Sequence, residues 1–155
     1  MAVDRWRLIK SPINKKHRRY VEQGVDTDIK LFEGDIEWMT NDYESVEEMR
    51  RLAAMSLPGH VLVGGLGLGI LLRFLAEKDD ITCISVIEKN QAVIDMITDL
   101  PPLTTVIRDD FNEFIKGDLS MFDCALVDIW HDYTKEEMRQ MKQLSIPSFV
   151  WGIDV

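Results

Sequence analysis

Val61-Leu-Val-Gly-Gly-Leu-Gly-Leu-Gly69 decides the reading of this chain. A short apolar run, His60-Val-Leu-Val63, has the length and composition of a strand covered on both faces. Four glycines in the next six positions allow a tight turn and leave the backbone bare of Cβ atoms. The spacing from Gly69 to Lys78 predicts a helix. Strand, glycine turn and helix in that order place main-chain amides where a small molecule can approach them.

Outward from this turn the same alternation recurs. Ile81 to Ile87 reads as a strand and Gln91 to Thr98 as a helix stopped before Pro101-Pro102. Thr104 to Ile107 is a strand, and Phe111 to Lys116 a short helix closed by Gly117. Phe122 to Val127 is a fourth strand, Lys135 to Gln143 a helix, and Ser148 to Ile153 a fifth strand. Five such repeats predict an α/β fold, a doubly wound and mostly parallel sheet of about five core strands with right-handed crossovers. Before it, two alternating runs flank Glu33-Gly34-Asp35 and predict an N-terminal β-hairpin, followed by a helix from Glu44 to Ser56. The expected organisation is a basic arm (1–27), the hairpin (28–43) and a ligand-binding α/β domain (44–155).

The 155 residues carry a net charge of −9, unevenly spread. Residues 1–20 hold seven bases and one acid, hence +6, leaving −15 on the other 135. The arm is expected to be a solvated tail, or one that contacts nucleic acid, another anion or an acidic partner. The acidic body argues against a nucleic-acid surface over the whole domain and suits a cationic substrate. No apolar run approaches the ~20 residues that span a bilayer, and the N-terminus lacks the apolar stretch of a signal peptide. Cys83 and Cys124 sit in apolar segments and are expected to be reduced core residues in a cytoplasmic protein. No cluster has metal-ligand spacing.

Acids stand at the ends of the expected strands. Glu88, nineteen residues after Gly69, could accept hydrogen bonds from both hydroxyls of a ribose. Asp109-Asp110 follows the third strand. Asp110 is the candidate for an adenine amine, and either acid could instead cap the helix at Phe111. Asp128 ends the fourth strand beside the expected switch point, where a carboxylate could hold an ammonium group or take a proton from an amine. Trp130 and His131 follow at once as candidates to stack on a substrate or act as a base. The glycine spacing does not fit G-x-G-x-x-G: from Gly65 the third glycine falls at Ile70, and from Gly64 the second falls at Leu66.

What fits is G-x-G-x-G at Gly65, Gly67 and Gly69, which resembles the loop of class I S-adenosylmethionine-dependent methyltransferases. From about Leu31 to Asp132 the chain is similar to the spermidine synthase branch of that superfamily. The resemblance lies in Glu37-Trp-Met-Thr-Asn-Asp-Tyr-Glu44, the glycine loop with Arg73, Val86-Ile-Glu-Lys-Asn90, Arg108-Asp-Asp-Phe-Asn-Glu-Phe114 and Phe122-Asp-Cys-Ala-Leu-Val-Asp128. It implies a donor, S-adenosylmethionine or its decarboxylated form, held by Gly65, Gly67, Gly69, Glu88 and Asp110. It also implies that Asp128 deprotonates an amine and that Asp42 and Glu44 help to bind a cationic chain. Departures stand at Leu68 and at Ile129-Trp130-His131-Asp132, and the chain runs only to the fifth strand. Three functions follow as expectations: a methyltransferase-like transferase, an aminopropyltransferase, or a catalytically inactive nucleoside-binding or regulatory module. Dimerisation through the hairpin and the sheet edge could complete a pocket.

Overall fold

A computed structural model describes residues 6–12, 27–129 and 134–155. The N-terminal part is an antiparallel sheet of β1 (Trp6–Pro12), β2 (Thr27–Glu33) and β3 (Ile36–Thr40), in the order β1-β2-β3. The hairpin is there as the alternation predicts, with a register irregularity between Leu31 and Phe32. It gains a third strand from within the basic arm. Trp6 and Leu8 of β1 pack on the core while Arg7 and Ile9 face outward, the period of two that a half-covered strand requires. Trp6 and Trp38 meet at a 50° tilt with ring centroids 5.2 Å apart. Buried Asn41 ties off the hairpin, accepting from Ile29 N at 2.8 Å and donating to the Thr27 carbonyl at 2.7 Å.

Helix α1 (Tyr43–Ala54) leads into the main sheet. There the order of elements is β4 (Gly59–Gly64), α2 (Ile70–Ala76), β5 (Ile81–Glu88), α3 (Gln91–Met96), β6 (Thr104–Arg108), α4 (Phe111–Phe114), β7 (Cys124–Val127), α5 (Lys135–Gln140) and β8 (Ser148–Val150). The five strands are parallel in the order β6-β5-β4-β7-β8. The chain winds outward from β4 to β6 and then returns to the other side of β4, so the switch point lies between β4 and β7. Side chains alternate between two cores: Val61 and Val63 belong to one, Leu62 to the other, all fully buried. That double burial is why these strands are apolar at every position.

Several elements end sooner than the apolar pattern suggests. Phe122 is buried against the His60 ring (centroids 4.7 Å apart) ahead of β7 rather than within it. β8 stops at Val150 because the chain turns back: Asp154 Oδ2 accepts from Val150 N at 2.7 Å, and Gly152 adopts a φ of 85°. Among the described residues no helix is long and apolar enough to cross a membrane. No group of three or more His, Cys, Asp or Glu among them could hold a metal ion.

Candidate functional site

The register of the parallel sheet sets the site. Gly64 is level with Ile87 on one side and Val127 on the other, so the next residues, Gly65, Glu88 and Asp128, emerge together at three adjacent strand ends. Backbone bonds hold them there: Gly65 N donates to the Ile87 carbonyl at 2.9 Å, and Asp128 N to the Gly64 carbonyl at 2.8 Å. This is the carboxyl-end crevice at the switch point, where open α/β sheets take ligands.

Gly65, Gly67 and Gly69 all have positive φ, of 91°, 51° and 75°. Two of them are also closely approached by other groups. A Cβ on Gly65 would run into the Asp128 carbonyl, and one on Gly67 into the Met39 sulfur. The first contact seats the loop on β7. The second is more consequential, because it puts a side chain of the hairpin directly on the glycine turn.

A crevice beside this turn is lined by Gly65, Gly67, Glu88, Asn90, Val93 and Asp128, and closed from above by Trp6, Leu31, Trp38 and Met39. Its volume is about 50 Å³. Glu88 stands on its rim, and its Oε2 accepts from Asn90 N at 3.2 Å. Asp110 is not among the residues lining the crevice. Its Oδ1 accepts from Asn112 N at 2.8 Å, which makes it the N-cap of α4. The helix-capping alternative is thus realised by one oxygen of this carboxylate, since the first amides of a helix need an acceptor.

On the other side of Asp128 lies a larger pocket of about 260 Å³, lined by Glu37, Trp38, Thr40, Glu48, Met49, Asp128 and Trp151 together with Met39 and Ser45. Asp128, Trp38 and Met39 line both spaces. Asp42 and Glu44 do not line either one. The Asp42 carboxylate caps α1, accepting from Ser45 N at 2.8 Å, and Glu44 is exposed in the first turn of that helix. Trp130 and His131 lie outside the described residues. The acids that do face this pocket are Glu37, Glu48 and Asp128, and its aromatic walls are Trp38 and Trp151.

Glu48 and Trp151 escape sequence reasoning for a plain reason. Glu48 looks like one more acid on the wet face of α1, and Trp151 like one more apolar residue of a last strand. Yet Trp151 Nε1 donates to Glu48 Oε2 at 2.8 Å across 103 residues of sequence. Burial pushes the Asp128 carboxyl up to about 7, with the nearby charge of Glu48 adding to the effect. Asp128 keeps some solvent contact because it edges both spaces, but protein surrounds its carboxyl closely enough for desolvation to dominate.

The sequence matches no protein-family model and no curated protein. The fold does have relatives. It is similar to a spermidine synthase solved in complex with the transition-state analogue AdoDATO, at 18% identity and a TM-score of 0.59 over 79% of this chain and 46% of that one. It is similar to the spermidine synthase from Thermotoga maritima, at 17% identity and a TM-score of 0.59 over 79% of this chain and 47% of that one. A dimethyladenosine transferase from Plasmodium falciparum is also similar, at 14% identity and a TM-score of 0.50 over 70% of this chain and 41% of that one. The chain thus has the class I S-adenosylmethionine-dependent methyltransferase fold, and it spans a little under half the length of these structures.

Proposed function

We propose that this chain binds an S-adenosylmethionine-type nucleoside against the glycine turn and serves as a methyltransferase-like transferase to an amine. The observation that carries this reading is the position of Asp128, one carboxylate edging both the glycine-loop crevice and an acidic, aromatic pocket. Bound in the crevice, a sulfonium nucleoside would supply a carbon already activated toward displacement. Glu88 would accept from the ribose hydroxyls, and the bare backbone at Gly67 would let the ligand approach. In the pocket, Glu37 and Glu48 would attract an ammonium group, Trp38 and Trp151 would offer it their ring faces, and Asp128 would take its proton.

The fit of the donor depends on the apolar cover, Met39 foremost. A volume of about 50 Å³ is far below the ~300 Å³ at which pockets for molecules of this size begin. Met39, on the edge strand β3, occupies the space over Gly67. An unbranched thioether with three rotatable bonds can swing aside at small cost, so the polar groups suit the nucleoside once the cover, beginning with Met39, moves off the turn. The same apolar cover also supports a second reading, a non-catalytic module whose crevice stays filled.

A panel of four nucleosides tests the proposal: S-adenosylmethionine, its decarboxylated form, S-adenosylhomocysteine and methylthioadenosine, each alone and with 1,4-diaminobutane. Thermal shift reports binding and mass spectrometry reports transfer. Preference for the carboxylate-bearing pair favours methyl transfer, and preference for the decarboxylated pair favours aminopropyl transfer. Binding without a product supports the non-catalytic module. Silence across all four nucleosides would end every version of the proposal.

A further inference from the structure

Trp151 connects two of the three carboxylates of the larger pocket, Glu48 and Asp128. Its backbone N donates at 2.8 Å to the carbonyl of Val127, the residue before Asp128, while its indole N–H donates at 2.8 Å to Glu48. The turn that carries Trp151 is itself fixed. Asp154 accepts from Val150 N at 2.7 Å and from Lys142 Nζ at 2.9 and 3.0 Å, and Lys142 also donates to the Ser148 carbonyl at 2.7 Å. Glu48 comes from α1, whose neighbouring Met49, Val46 and Leu52 are buried. Two well-fixed elements therefore bring like charges into one pocket, and among the described residues no basic side chain lines it.

Such an arrangement is unfavourable by itself, because like charges at close range oppose one another. It becomes favourable when a cation enters between them. We propose that Glu48 is a positioning residue for Asp128: held by the Trp151 indole, it keeps a second carboxylate beside Asp128, so that the pair receives an amine as its cation and Asp128 then takes a proton from the nitrogen. This inference rests on the pocket being the acceptor site. A carboxylate at its ordinary acidity is a weak acceptor for an ammonium proton, and a like-charged neighbour makes it a better one. Other carboxylates facing these spaces are Glu37 from β3 and Glu88 from β5, so Glu48 acts within an acidic field rather than alone.

The test is a pH titration of the full chain, following the Asp128 side-chain carboxyl by carbon NMR, paired with calorimetric titration of 1,4-diaminobutane. The Asp128 midpoint, about 7 in the parent chain, is expected to fall by at least about half a pH unit in Glu48→Gln. Trp151→Phe, which keeps the ring but removes the N–H, should give a smaller fall in the same direction, and Glu48→Asp should restore part of it. Diamine affinity should drop about tenfold in Glu48→Gln. Thermal unfolding identifies any variant that fails to fold, in which case Trp151→Phe and Glu48→Asp carry the comparison. A midpoint that stays where it was, or a diamine affinity that Glu48→Gln leaves unchanged, overturns the proposal. Neither readout needs a nucleoside, so failure to bind one would count against the donor half of the transferase reading and leave this inference standing.

Discussion

Beside the glycine turn the walls are Trp6, Leu31, Trp38 and Met39, and about 50 Å³ is left between them. Across Asp128 the walls include Glu37, Glu48 and Trp151, and about 260 Å³ is left. The two spaces share Asp128, Trp38 and Met39. One is built from a contiguous glycine motif and closed by apolar side chains from another sheet. The other is open and acidic, and it is assembled from residues scattered from position 37 to position 151. A motif thus locates a crevice without saying whether it is open, while an open pocket can form with no motif at all.

The largest expected effect concerns the group between them. Asp128 binds its proton more tightly in the folded chain, at about 7, than at its ordinary value of 3.8. The native state therefore holds more protons than the unfolded state between these values, and stability falls as pH rises from about 4 to about 7. The loss is up to about 4 kcal/mol across the window, less whatever the solvent reaching the pocket screens. Denaturant unfolding at several pH values should show this slope in the parent chain and its disappearance in Asp128→Asn. A slope that persists unchanged in the variant would mean that Asp128 is not buried in the way the two spaces require.

A smaller effect is expected at Asp42. As the N-cap of α1 its carboxylate stabilises the helix, and Asp42→Ala should cost about 1 kcal/mol in denaturant unfolding. Diamine affinity should not change, because the side chain is spent on Ser45 N. Weaker diamine binding in a folded Asp42→Ala chain would extend the acidic pocket to a residue that the geometry leaves out.

The fold was legible where local pattern and burial agree. Val61 to Val63 and Ala125 to Val127 are apolar throughout because both faces of the sheet are covered, and Gly65 and Asp128 just beyond them line the crevice. β1 was hidden because Arg7 and Lys10 make its strand look like part of a charged arm, although Trp6 and Leu8 alternate with Arg7 and Ile9. Asp42 and Asp110 each precede a helix, where a short acid serves a cap as readily as a ligand. Sequence alone does not say which of these uses is made, and the hydrogen bonds to Ser45 N and Asn112 N show the cap at both. Met39, Glu48 and Trp151 carried no signal, since their roles arise only when β3, α1 and the turn after β8 meet around Asp128.

Whether the glycine crevice is a nucleoside site under a movable cover, as proposed, is decided by calorimetric titration of methylthioadenosine into Met39→Ala. Removing the thioether from Gly67 should give saturable binding about tenfold tighter than in the parent chain, and adding Glu88→Ala should weaken it again by a similar factor. No binding to a folded Met39→Ala chain, or binding indifferent to Glu88, would contradict the account.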